Sequence, residues 1–139
     1  MRIIEGTQSA AGFKFAVVVS KYNDFVTDRL QQGALAALEA AGVRSEDITV
    51  VRVPGAFEIP LAARQVADTS QFDGIICLGC LIRGATPHFE YISSAVAHGL
   101  TAASGETGIP MAFGVLTTNS VEEALERAVD ATPDIILMD

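Results

Sequence analysis

Tryptophan is absent from this chain, tyrosine and cysteine occur twice each, and positive charge is in deficit. Each scarcity removes a class of protein. Two cysteines cannot build the disulfide framework of a small secreted domain. No run of about 18 apolar residues is present, so no membrane-spanning helix and no membrane partner are expected. Residues 1–6 lack the apolar stretch and cleavage site of a signal peptide, which makes the cytoplasm the expected compartment. The formal net charge of −8 argues against nucleic acid or an anionic membrane as partner, because both reward a basic surface. It leaves room for a small anionic substrate, since a few local arginines serve one phosphate. Walker A, G-x-G-x-x-G after the first strand, a nucleophile-elbow serine and a metal-binding helix are all missing, which weakens the usual nucleotide-binding readings.

What the chain does have is apolar content. Half of its 139 residues are hydrophobic and 19% are charged, below the usual quarter. That length fits one domain, spanning 1–139. A chain this short and apolar leaves apolar surface over, which favours self-association.

Four units repeat the order strand then helix. The strands are expected over 13–20, 48–53, 73–79 and 111–116. The helices are expected over 24–41, from near Pro60 to Ala67, over 88–103, and over 121–129. Helical spacing of three or four marks Val26, Leu30, Ala34, Leu38 and Ala41, then Ile92, Val96, Leu100 and Ala103. Val121, Leu125, Ala128 and Val129 are the expected buried face of the last helix. Gly42 suits the position after a helix end, and Ser120 with Glu123 forms a capping box. Repeated units with near-continuous apolar strands predict a four-stranded parallel sheet covered on both faces, a three-layer α/β/α sandwich. Residues 2–5 are a candidate for an extra edge strand, and the apolar tail 133–139 has no period that separates helix from strand.

Cys77 and Cys80 form a C-x-x-C, readable as a redox pair or half a metal site. Zinc would need two further ligands, and His88 and His98 offer no second pair. In a regular strand, positions three apart point to opposite faces, so the alternative is a buried Cys77 with Cys80 at the strand end.

Ligands of open parallel sheets bind outside the carboxyl ends of the strands. That rule selects four loops, 20–24, 54–58, 79–88 and 114–119. The third, Gly79-Cys80-Leu81-Ile82-Arg83-Gly84-Ala85-Thr86-Pro87-His88, combines small residues, an arginine and a helix start, which together make an anion site. His88 there suits proton transfer near neutral pH. A turn with a solvated arginine and a capping histidine fits the same residues. Phe57 suits covering a flat ring. Glu58 suits accepting hydrogen bonds from a ligand and equally suits stabilising a helix start. Tyr22 beside Asn23 is a stacking ring or a helix start. Phe113 reads as core, Arg127 as the helix partner of Glu123, and His98 as structural.

Taken together, the segments Tyr22-Asn23, Pro54-Gly55-Ala56-Phe57-Glu58-Ile59-Pro60, residues 78–88, Phe113-Gly114-Val115-Leu116-Thr117-Thr118 and Glu126-Arg127-Ala128 resemble the lumazine synthases over roughly residues 1–128. The resemblance implies a flavodoxin-like fold and the condensation of 5-amino-6-(D-ribitylamino)uracil with 3,4-dihydroxy-2-butanone 4-phosphate. The product would be 6,7-dimethyl-8-ribityllumazine, made in riboflavin biosynthesis without a metal or cofactor. It implies that Tyr22, Ala56, Phe57, Glu58, Cys80, Leu81, Ile82 and Phe113 bind the ribitylaminouracil, with Phe113 coming from a neighbouring subunit. Ala85, Thr86 and Arg127 would hold the butanone phosphate, and His88 would transfer protons. A homo-oligomer follows, a pentamer or a sixty-subunit shell, with sites between subunits and riboflavin synthase as an associated partner. Three features depart from the family: Tyr22 stands where Phe is usual, Pro87 precedes His88 in place of a polar residue, and the tail after about 128 lacks the expected Gly- and Lys-containing segment. Two other readings use the same loops. One is a catalytically impaired, shell-forming or flavin-binding homologue. The other is a flavodoxin-like nucleotide binder.

Overall fold

The run Phe-Ala-Val-Val-Val-Ser becomes the central strand β1 (Phe15–Ser20), whose last five residues are buried. β-Branched side chains suit a pleated surface packed on both sides. Three further strands follow, β2 (Ile48–Val53), β3 (Gly74–Ile82) and β4 (Met111–Thr118), separated by helices α1 (Asp24–Ala40), α2 (Ile59–Asp68) and α3 (His88–Thr107) and followed by α4 (Val121–Val129). The computed structural model describes residues 1–129; the 133–139 tail considered above lies outside them.

All strand pairs are parallel, and the order across the sheet is β2-β1-β3-β4. Alternate side chains of each strand face opposite layers. Val17, Val19, Leu78 and Cys80 pack with α1 and α4 residues such as Leu30, Leu38 and Ala124. Ala16, Val18, Ile75, Cys77 and Val115 pack with Ile59, Ala63, Val96 and Leu100 of α2 and α3. The three-layer α/β/α sandwich with a four-stranded parallel sheet is therefore the observed architecture.

Helix ends follow local chemistry. Gly42 has φ 97°, Gly42 N–H donates to Glu39 O and Val43 N–H donates to Leu38 O at 3.0 Å, closing α1. Only a residue free of Cβ adopts that conformation cheaply. Ser120 Oγ accepts from Glu123 N–H at 3.1 Å and starts α4.

Several expectations need correction. Residues 2–5 form no strand and are exposed. β1 begins at Phe15, because Lys14 N–H turns aside to donate to Asp73 Oδ2 at 2.8 Å. β3 runs through Ile82 and β4 through Thr118, paired Cys80↔Leu116, Leu81↔Thr117 and Ile82↔Thr118. Glycine and polar residues made those segments resemble loops, but each continues by pairing with the other. α3 continues to Thr107 and ends at Gly108, with φ 75°. Val121, expected in the core, is exposed; Ala124 and Ala128 are buried and Leu125 is half-buried, while the Val129 side chain lies outside the described residues.

Candidate active site

The chain goes from β1 to β2 on one side and returns to β3 on the other. Ligands of open α/β sheets sit where the strand order reverses in this way. An open cleft of about 1030 Å³ lies there, beyond the carboxyl ends of β1 and β3, at the upper end of the size usual for ligand sites. A second hollow of about 640 Å³ lies at the opposite end of the strands, lined mainly by apolar residues such as Phe15, Leu38 and Ala112. Thr7 and Gln8 supply its polar side chains, and none of its lining residues is ionisable.

The cleft gathers Tyr22, Ala56, Phe57, Glu58, Cys80, Leu81, Ile82, Thr86 and His88. Ala85 is exposed in the turn between Gly84 and Thr86, which both line it. Two expected residues lie elsewhere. Phe113 is half-buried on β4 and lines a small groove with Leu100 and Ser104 of α3. Arg127 sits on the exposed side of the last turn of α4 and is not among the cleft residues.

Tyr22 and Phe57 are 72% and 61% exposed; rings this open are available for stacking rather than committed to the core. Glu58 serves its own turn: Glu58 Oε1 accepts from Gly55 N–H at 2.9 Å, within a single turn of 3-10 helix over Ala56–Glu58. It also lines the cleft, so helix-start stabilisation and ligand contact are compatible readings. α3 begins at His88, which lines the cleft together with Phe89, and a helix start favours an anion. Thr86 Oγ1 accepts from His88 N–H over a long 3.4 Å.

Arg83 does not serve as the open anion-binding arginine considered from the sequence. Its guanidinium pairs with Glu90, donates through Nε to Asn119 Oδ1 at 3.0 Å and lies 4.6 Å from the Phe89 ring centre. Its backbone N–H donates to Thr118 O at 2.9 Å. Arg83 thus ties the 83–88 turn to α3 and to the end of β4. The Glu90 carboxyl is held below the usual carboxylate range, first by its own backbone N–H and then by Arg83.

The cysteines do not form a redox pair or a shared metal site. Cys77 belongs to the α2–α3 core and Cys80 to the α1–α4 core, and both are free and buried. Burial pushes the Cys77 thiol up to about 12 and the Cys80 thiol up to about 11, which keeps both protonated at neutral pH. Cys80 lies within the strand rather than at its end. His98 is exposed midway along α3, with Nδ1 3.4 Å from Ser94 Oγ, and does not line the cleft.

Sequence reasoning missed Phe89, Tyr91, Ile92 and Val121 as cleft residues. The signal for Phe89 and Ile92 was their three-residue spacing on the first turns of α3, which also describes a core-facing stripe. It also left Asn23 without a definite role; Asn23 Nδ2 donates to the Cys80 carbonyl at 3.0 Å.

A parallel α/β/α sandwich with a cleft at its β1/β3 reversal defines the class, a flavodoxin-like protein with a small-molecule site. Residues 12–134 match the family described as 6,7-dimethyl-8-ribityllumazine synthase, and the chain belongs to that family. A protein of that name from Syntrophus aciditrophicus (strain SB) is 54% identical over 126 residues, covering 91% of this chain and 82% of the relative. Another of that name, from Nitratidesulfovibrio vulgaris (strain DP4), is 49% identical over 128 residues, covering 92% and 82%. The matched segment begins after the exposed first residues and extends past the end of α4.

Proposed function

We propose that this protein condenses 5-amino-6-(D-ribitylamino)uracil with 3,4-dihydroxy-2-butanone 4-phosphate to give 6,7-dimethyl-8-ribityllumazine, phosphate and water. Family membership carries the reaction; the convergence of Tyr22, Phe57, Glu58, Thr86 and His88 on one cleft supports where it happens. The uracil ring stacks on Tyr22 and passes along Ala56, Phe57 and residues 80–82, with the ribityl hydroxyls near Glu58. The phosphate sits on the α3 start at Ala85 and Thr86. The amine attacks the ketone to form an imine with loss of one water. Elimination of phosphate leaves an enol that becomes a second ketone, and the ribitylamino nitrogen closes the ring on that ketone with loss of a second water. These steps need close positioning and proton transfer more than a metal or cofactor, and His88 is the proton carrier at the cleft rim.

Phe113 and Arg127 complete the site from a neighbouring subunit in this proposal. Their own chain's cleft does not include them, while open rings at Tyr22, Phe57 and Tyr91 (73% exposed) leave apolar surface that a second subunit would cover. The working assembly is a pentamer. A sixty-subunit shell, association with riboflavin synthase and a cytoplasmic location extend the same reading.

Mixing purified protein with both substrates tests the proposal. The expected outcome is a fluorescent product with the mass of the lumazine and one phosphate per product. Absence of product at high enzyme concentration overturns it.

A further inference from the structure

β3 outruns β1. Pairing between them ends at Val19↔Leu78, whereas β3 stays paired with β4 as far as Ile82↔Thr118. Residues 79–82 therefore present an unpaired edge toward the cleft. In a regular strand, backbone groups two residues apart point to the same edge, so Cys80 and Ile82 share it. The chain after β1 does not continue along this edge. Lys21 N–H donates to Val53 O at 2.8 Å and Tyr22 N–H donates to Pro54 O at 3.1 Å, both toward β2.

The Asn23 side chain replaces the strand donor that is lost. Its Nδ2 donates to Cys80 O at 3.0 Å, across 57 residues of sequence. Asn23 itself takes φ 65° and ψ 45°, the left-handed region that asparagine tolerates better than most residues. The turn thus reverses toward α1 while its side chain reaches back to β3.

Resting on the reaction proposed above, we propose that Asn23 is a positioning residue for the ribitylaminouracil. By occupying the Cys80 carbonyl, it leaves the Ile82 backbone as the next hydrogen-bonding groups on the edge. It also fixes Tyr22, its chain neighbour, beside them. A pyrimidinedione carries alternating N–H and C=O groups, and a strand edge is a complementary partner for that pattern. Asn23 acts through the strand and the ring, not on the reacting atoms.

Two variants test this. Asn23→Gly keeps the left-handed turn without strain and removes the amide. Asn23→Asp tolerates the turn and sets an acceptor against an acceptor. We expect Asn23→Gly to keep the wild-type Tm within a few degrees and to raise KM for ribitylaminouracil about tenfold, the scale of one hydrogen bond. KM for the butanone phosphate and kcat should stay within about threefold, below that scale. Asn23→Asp should raise the first KM further, and calorimetry with ribitylaminouracil alone should give the same ranking without turnover. Wild-type KM in Asn23→Gly, or a matched change in both KM values and kcat, overturns the positioning role. An active wild type with an unchanged Asn23→Gly removes this role alone, whereas an inactive wild type removes the proposed reaction and this role with it.

Discussion

Cys77 and Cys80 show how one residue type acquires a property from its surroundings. Their thiols titrate near 11 to 12 instead of 9.0 because burial disfavours the thiolate. In the unfolded chain they ionise near the ordinary value. The folded state therefore holds more protons between pH 9 and the folded values, and stability falls as pH rises through that window. We expect Tm to drop from pH 9 to 11 more steeply in the wild type than in the Cys77→Ala/Cys80→Ala variant. Equal slopes would remove the thiols as the cause. His88→Ala is expected to lower kcat roughly tenfold to a thousandfold while calorimetry shows ribitylaminouracil still binding. Arg127→Ala is expected mainly to raise the KM for the butanone phosphate. A change confined to the uracil substrate would contradict that role.

Packing between elements depends on a few close approaches. α2 and α3 meet where Gly99 faces Pro60; a Cβ on Gly99 would come within 2.7 Å of Pro60 Cβ and 3.0 Å of its Cγ. Alanine in a helix interior is better than glycine by about 1 kcal/mol. Overpacking a rigid neighbour costs about 1–3 kcal/mol, and the proline ring cannot rotate away. The second effect wins, so urea denaturation of Gly99→Val should show a loss of about 2 kcal/mol. An unchanged or higher midpoint would mean that α2 and α3 separate freely. Gly79 works similarly between α2 and the sheet, where a Cβ would lie 3.1 Å from Ile59 Cδ1 and 3.2 Å from Ser20 Oγ. That approach lets β3 pass under the cleft and present Cys80 through Ile82 at its floor.

For the whole molecule, Phe113 lies away from its own cleft, so its proposed role in substrate binding requires a neighbouring chain. The measured solution mass should exceed that of one chain. His88→Ala and Phe113→Ala should complement each other when co-expressed, because random assortment leaves roughly a quarter of the sites with both native residues. Activity no greater than that of the two parent variants combined would place each complete site within one chain.

Periodicity alone determined most of the elements. The positions Val26, Leu30, Ala34 and Leu38 were legible as a buried helix face because 3.6 residues per turn bring them to one side, and all four are buried. The apolar strands indicated a sheet covered on both faces, and the loops after the strands, read with the family's motifs, named most of the cleft residues. Tertiary structure decided what local pattern does not encode. Gly79-Cys80-Leu81-Ile82 is a strand only because β4 lies beside it. Arg83 meets Asn119, 36 residues away, only because β3 and β4 lie side by side. Asn23 reaches Cys80 only because the sheet order sets β1 beside β3. Hydrophobic spacing is a property of neighbours in the chain, whereas strand edges and polar partners are defined by residues distant in sequence, and those become neighbours only when the sheet has formed.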